Sequence, residues 1–161
     1  MFKTNAATSR RIPRSIVAGV ISTTAMTVVM QQLFSRLPPD EQYPLPPEEI
    51  ATVGEVKVLG RTLNSEQHIA WTVFSHFGYG MTLAGIYSWI AERLPFTPIV
   101  SGVLYGLLVW AGSYMGWLPA FHVLRPATEF PPARRRLMII AHIVWGAVLG
   151  ISNSAGLQKD S

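Results

Sequence analysis

The chain contains no cysteine, which removes disulfides, thiolate nucleophiles, iron–sulfur clusters and cysteine-ligated zinc at once. Charge is scarce as well. Asp, Glu, Lys and Arg make up 14% of the 161 residues, against about 25% in an ordinary soluble domain, so too few solvated side chains are present to cover a globule of this size. There is no glycine-rich phosphate loop and no recognisable set of nucleophile, base and oxyanion donors, so the expectation is a protein that is not an enzyme.

In place of charge the chain has apolar length. Between His68 and Glu92 lie 23 uncharged residues, roughly 35 Å of helix at 1.5 Å per residue, which is enough to cross the hydrocarbon core of a bilayer. Comparable runs predict membrane spans over about 15–36, 69–91, 99–118 and 137–155. The expected fold class is therefore all-α: a polytopic membrane protein, a four-transmembrane-helix bundle forming a single membrane domain over residues 1–161. A separate soluble domain does not fit in what remains.

Loop 37–68 divides into two parts. Pro38, Pro39, Pro44 and Pro46 keep its start extended, because proline lacks an amide donor and fixes its own backbone. Pro47 followed by Glu48 and Glu49 then begins a short amphipathic helix over about 47–59, with carboxylates favoured in the first turn and Gly60 as its stop. Asn64 with Gln67 three residues later forms a capping box that starts the second long helix.

Small and polar residues inside the spans mark the faces that avoid lipid. Gly80, Gly102, Gly106, Gly112, Gly116, Gly146 and Gly150 are the helix-packing candidates, since small residues let two backbones approach closely. Thr23, Thr27 and Gln31 recur along the first span, and His76 and His142 interrupt the second and fourth. These two spans run in the same direction, and both histidines sit about 8–11 Å inside the same boundary. With Glu92 at the opposite mouth they form the candidate intramembrane polar site, because ionisable groups are costly in lipid and face a bundle interior. Catalytic residues and metal ligands are not assigned.

The net charge of +4 and pI near 9.8 belong to basic residues flanking apolar spans, where anionic headgroups account for them without nucleic acid. A basic amino terminus places both ends in the cytoplasm and loops one and three outside. Loop one (Asp40, Glu41, Glu48, Glu49, Glu55 and Glu66 against Lys57 and Arg61) then carries −4, while loop three (Arg125, Arg134, Arg135 and Arg136 against Glu129) carries +3. That sign breaks the positive-inside rule unless the loops attract each other. The expected contact sets Glu48 and Glu49 over Arg134, Arg135 and Arg136, making loop one a lid on the outer end of the bundle.

Pro44-Leu45-Pro46-Pro47, His68-x-x-Trp71, His76, Ala91-Glu92 with Pro95, and His142-x-Val144-Trp145, in that order and placement, resemble the YagU-like bacterial inner-membrane proteins, a family whose domain is of unknown function. The resemblance covers roughly Pro44 to Trp145; a shorter first loop and the run of three arginines depart from it. It implies a multi-pass protein of the bacterial inner (plasma) membrane and no particular chemistry. The expected role is structural or accessory, or one in envelope stress, with the lipid bilayer and a second copy or another membrane subunit as partners. No cofactor is expected. Two alternatives stand beside this reading: a redox carrier with His76 and His142 ligating one haem iron, Gly80 and Gly146 leaving space for the porphyrin, and a proton or small-solute pathway through the same polar residues.

Overall fold

The computed structural model describes residues 6–158, with side chains from 12 to 155; Lys3, Arg10, Arg11, Lys159 and Asp160, read above as flanking charge, lie outside the described side chains. The described residues are helical and form no strand. The elements are α1 (Ala6–Phe34), α2 (Pro46–Leu59), α3 (Ser65–Ile90), α4 (Pro98–Ala111) and α5 (Pro132–Gln158). A widened π turn, Gly112–Trp117, and a last turn, Leu118–Ala120, carry α4 further, and short 3₁₀ turns fill the connections. Residues 6–14, expected to be irregular, are the start of α1.

Local signals set these boundaries. Pro46 and Pro47 open α2, Glu48 and Glu49 occupy its first turn, and Gly60 closes it in the left-handed conformation (φ 67°), which costs a residue without Cβ little. Asn64 caps α3: its side chain accepts the Gln67 amide at 2.9 Å, and the Gln67 side chain accepts the Asn64 amide at 3.4 Å. Thr97 starts α4 in the same manner, accepting the Val100 amide at 3.4 Å.

Three helices are long and apolar enough to cross a membrane: Ile12–Phe34, Pro98–Ala120 and Pro132–Ala155. Four were expected. Although α3 is long and uncharged beyond His68, its apolar residues are diluted by Thr72, Ser75, His76, Gly78, Tyr79, Gly80 and Thr82, so freedom from charge overstated its hydropathy. Outward surfaces are nonetheless apolar on every long helix, as Val17, Val28, Phe74, Leu108, Ile140 and Ile151 illustrate.

The long helices contact in the order α4–α5–α1–α3. Backbones meet directly at the α4–α5 seam: a Cβ on Gly102 would strike the Gly146 carbonyl, one on Gly106 the His142 carbonyl, and one on Gly150 the Pro98 carbonyl. Gly19 brings α1 onto α3, where a Cβ would lie 2.8 Å from Met81 Cα. Lipid supplies no hydrophobic force between helices, so such dispersion contacts and occasional hydrogen bonds must hold a bundle in a membrane. No comparable seam joins α3 to α4. Tyrosines bridge that side: Tyr87 Oη lies 2.8 Å from Ser101 Oγ, Tyr105 donates to the Leu83 carbonyl at 2.9 Å, and Tyr79 Oη lies 3.0 Å from Ser113 Oγ.

Gly112 and Gly116 do not pack against a helix, contrary to expectation; a Cβ at either would meet open space. Both belong to the π turn, where Gly116 leaves helical geometry (φ −112°, ψ −106°). Substituting Gly102→Ala or Gly146→Ala should lower stability in detergent by about 1–3 kcal/mol through overpacking at the seam. Gly85→Ala, which meets nothing, should be neutral or stabilising by up to about 1 kcal/mol. Equal melting temperatures for all three variants would remove the seam from the account.

Candidate functional site

The open side between α3 and α4 leaves a cavity of about 260 Å³ inside the helices. Thr23 and Met26 of α1, Pro47 and Ile50 of α2, Ser75, His76, Tyr79, Gly80 and Leu83 of α3, Ser113, Tyr114, Trp117 and Leu118 beyond α4, and Met138, His142 and Trp145 of α5 line it. Both histidines thus share one chamber, at the level their depth in the sequence indicated. Beneath them the rings of Tyr87 and Tyr105, and of Tyr105 and Trp145, lie 5.2 and 6.0 Å apart and close the bundle.

Each histidine is held by its own neighbourhood. His142 is 6% exposed, with Nδ1 2.8 Å from the Met138 carbonyl one turn earlier and the Tyr114 ring edge-on at 5.7 Å. His76 Nε2 lies 3.2 Å from Thr27 Oγ1, and the Thr27 hydroxyl lies 2.8 Å from the Thr23 carbonyl. Thr23 Oγ1 in turn accepts from Trp145 Nε1 at 3.2 Å. Of the residues proposed from sequence, His76, His142, Thr23 and Thr27 come together. Gln31 does not join them, since a four-residue step turns the stripe about 40° further each time and leaves Gln31 exposed. Glu92 lies in the 3₁₀ turn at the opposite end of α3.

Helix α2 covers the cavity and is tied down at three points. At its start, Arg134 of α5 donates to Glu49 Oε2 at 2.7 Å and to the Pro44 carbonyl at 3.1 Å. The Arg134 guanidinium stacks 4.7 Å from the Phe130 ring, and the residue is only 6% exposed. At its end, Lys57 donates to the Phe121 carbonyl at 2.6 Å. Between them Glu55, 4% exposed, accepts the Leu63 amide at 3.0 Å and pairs with His68 Nδ1 at the start of α3. The Leu63 amide, and then His68, hold the Glu55 carboxyl below its ordinary value against the opposing effect of burial. Of the expected charge cluster, only Glu49 and Arg134 pair. Glu48 lines an outer cleft of about 600 Å³ between α2 and loop three, Arg136 donates to the Pro132 carbonyl of its own helix at 3.3 Å, and Arg135 is half-buried without a carboxylate partner among the described residues.

The residues do not fit a haem. A Cβ at Gly80 would run into Thr23, and one at Gly146 into the Gly102 backbone, so neither glycine leaves room for a porphyrin. No group of three or more His, Cys, Asp or Glu residues that could hold a metal ion occurs among the described residues. Sequence reasoning missed Ser113 and Tyr114: Tyr114 was read as interfacial, yet the π turn aims it inward, where it is buried. Two glycines flanking Ser113 and Tyr114 were the available signal.

The family described as "Protein of unknown function (DUF1440)" matches residues 20–151. The chain belongs to this family. The match takes in most of α1, the lid and both histidines, and agrees with the YagU-like resemblance. No curated protein and no solved structure matches the chain.

Two outcomes test how the lid is held. Glu49→Ala and Arg134→Ala should each reduce stability by about 1–3 kcal/mol, because each leaves a partly buried charge without its partner. The double variant should lose less than the sum, measured as a double-mutant cycle. Glu55 gives a pH dependence: its carboxyl is depressed in the folded protein, so its contribution is complete above the ordinary carboxylate range and is lost as pH falls through the lowered value. Protease cleavage within residues 37–64 should therefore rise on acidification, and Glu55→Gln should already be cleaved faster at neutral pH and respond less to acid.

Proposed function

We propose that the chain is a multi-pass protein of the bacterial inner membrane with four spans, α1, α3, α4 and α5, and an accessory rather than catalytic role centred on the lidded cavity. The observation that carries the four-span reading is the position of the two ends of α3. Its first turn joins α2 through Glu55 and His68, while Tyr87 near its last turn reaches Ser101 at the start of α4. Helix α3 has 26 residues, about 39 Å of rise, and so carries the chain from one end of the bundle to the other. If it remained on one surface, α4 could not begin where Gly150 of α5 lies against Pro98. Its polar residues are tolerated because His76, Gly80, Tyr87 and Ser88 face other helices or the cavity.

A binding role is favoured over a pathway because the tyrosine layer closes the bundle below the histidines. The Glu49–Arg134 pair supports an outer location for α2: it satisfies an arginine that would otherwise argue for the cytoplasmic side. Reporter fusions after Glu55 and after Ser161 check the topology. Four spans place these points on opposite sides of the membrane, whereas a surface-lying α3 gives three crossings and places them on the same side.

A further inference from the structure

The cavity's volume, walls and unused hydrogen-bonding atoms together restrict what it can hold. At about 260 Å³ it exceeds the roughly 150 Å³ that admits a benzene molecule, which leaves room for one substituted ring. The walls are mainly apolar, from Met26, Leu83, Val109, Leu118 and Met138, and aromatic edges from Tyr114 and Trp145 suit a flat occupant.

The polar atoms are more selective. A neutral imidazole has one N–H and one bare nitrogen. His142 must carry its proton on Nδ1, which donates to the Met138 carbonyl at 2.8 Å, so Nε2 is a bare acceptor. The Thr27 hydroxyl has a single proton, and the Thr23 carbonyl at 2.8 Å takes it. His76 Nε2 therefore donates to Thr27 Oγ1 at 3.2 Å, leaving Nδ1 bare. Neither bare nitrogen has a hydrogen-bond partner among the described residues, and neither does the hydroxyl of buried Tyr114. The chamber thus offers two acceptors and one hydroxyl. A carbonyl or ether could satisfy only the hydroxyl. A ligand hydroxyl can donate to an imidazole and accept from Tyr114.

We infer that the cavity binds a single hydroxylated aromatic ring, its hydroxyl placed between His142 and Tyr114 and its ring against the apolar wall. Binding itself does not depend on the span count, but the ligand's route rests on the four-span reading. Tyr79 and Trp117, 41% and 38% exposed, form the rim on the open α3–α4 side, hydrogen-bonded to each other at 3.3 Å and through Tyr79 to Ser113 at 3.0 Å. A ring entering there could be a free phenol or the head of a lipid-tailed hydroquinone, with the tail left in the bilayer.

Calorimetric titration of the detergent-purified chain, corrected for partitioning into micelles, tests this. 4-Propylphenol should bind, and 4-propylanisole, which lacks the donor, should bind about tenfold more weakly, the cost of one hydrogen bond. Tyr114→Phe and His142→Phe should remove most of that preference, and the comparison of the two ligands on the unaltered chain stands even if a variant does not fold. Decylhydroquinone distinguishes the sources: tighter binding than 4-propylphenol supports a tailed ring, equal binding a free one. Equal affinity for phenol and anisole, or binding of neither phenol nor hydroquinone, overturns the proposal whatever the reporter fusions show.

Discussion

The fold depends on one constraint: the α4 and α5 backbones touch. Gly102, Gly106, Gly146 and Gly150 have no room for a side chain because each faces a carbonyl of the opposite helix. Nothing flexible at that seam can yield, so the relative position of α4 and α5 is fixed to within a few tenths of an ångström. The other long helices are placed from this pair. Helix α1 lies against α5 through Thr23 and Trp145, and α3 lies against α1 at Gly19.

The cavity follows from this uneven packing. Two sides of the bundle are closed by backbone contact and a third by buried side chains, which leaves α3 and α4 to be joined by long tyrosines. Hydrogen bonds between membrane helices average about 0.6 kcal/mol each, weaker than a dry glycine seam, so this is the side on which opening costs least. Polar residues that would be liabilities facing lipid collect there. Function and weak packing therefore share a location, as the open site needs a face that the core does not require.

Much of this was legible in the sequence. The proline-to-glycine frame of α2, the Asn64–Gln67 cap and the common depth of His76 and His142 all arise from local spacing, and local spacing is what a sequence displays. The attraction between Glu49 and Arg134 was readable as a charge imbalance between loops, although which of the three arginines turns inward depends on helix phase and on Phe130. Three features escaped for a shared reason. Whether Gly112 and Gly116 meet a neighbour, whether Tyr114 faces lipid or cavity, and whether Gln31 remains on the polar face all depend on rotation about a helix axis. A π turn alters that rotation without marking the composition.

That π turn divides α4 and its continuation into two regions of independent phase. A wide turn accommodates one residue more than a regular helix of the same rise. Loss of one residue from Gly112–Trp117 would rewind the turn and rotate all that follows by about 100°. Trp117 and Leu118 would leave the cavity wall, while Gly102 and Gly106 kept their places on α5. Single-residue insertions and deletions are usually ruinous inside a packed helix; here one could exchange the lining of the chamber while preserving the seam. The family's scaffold thus has a place where length variation can change ligand preference without refolding the protein.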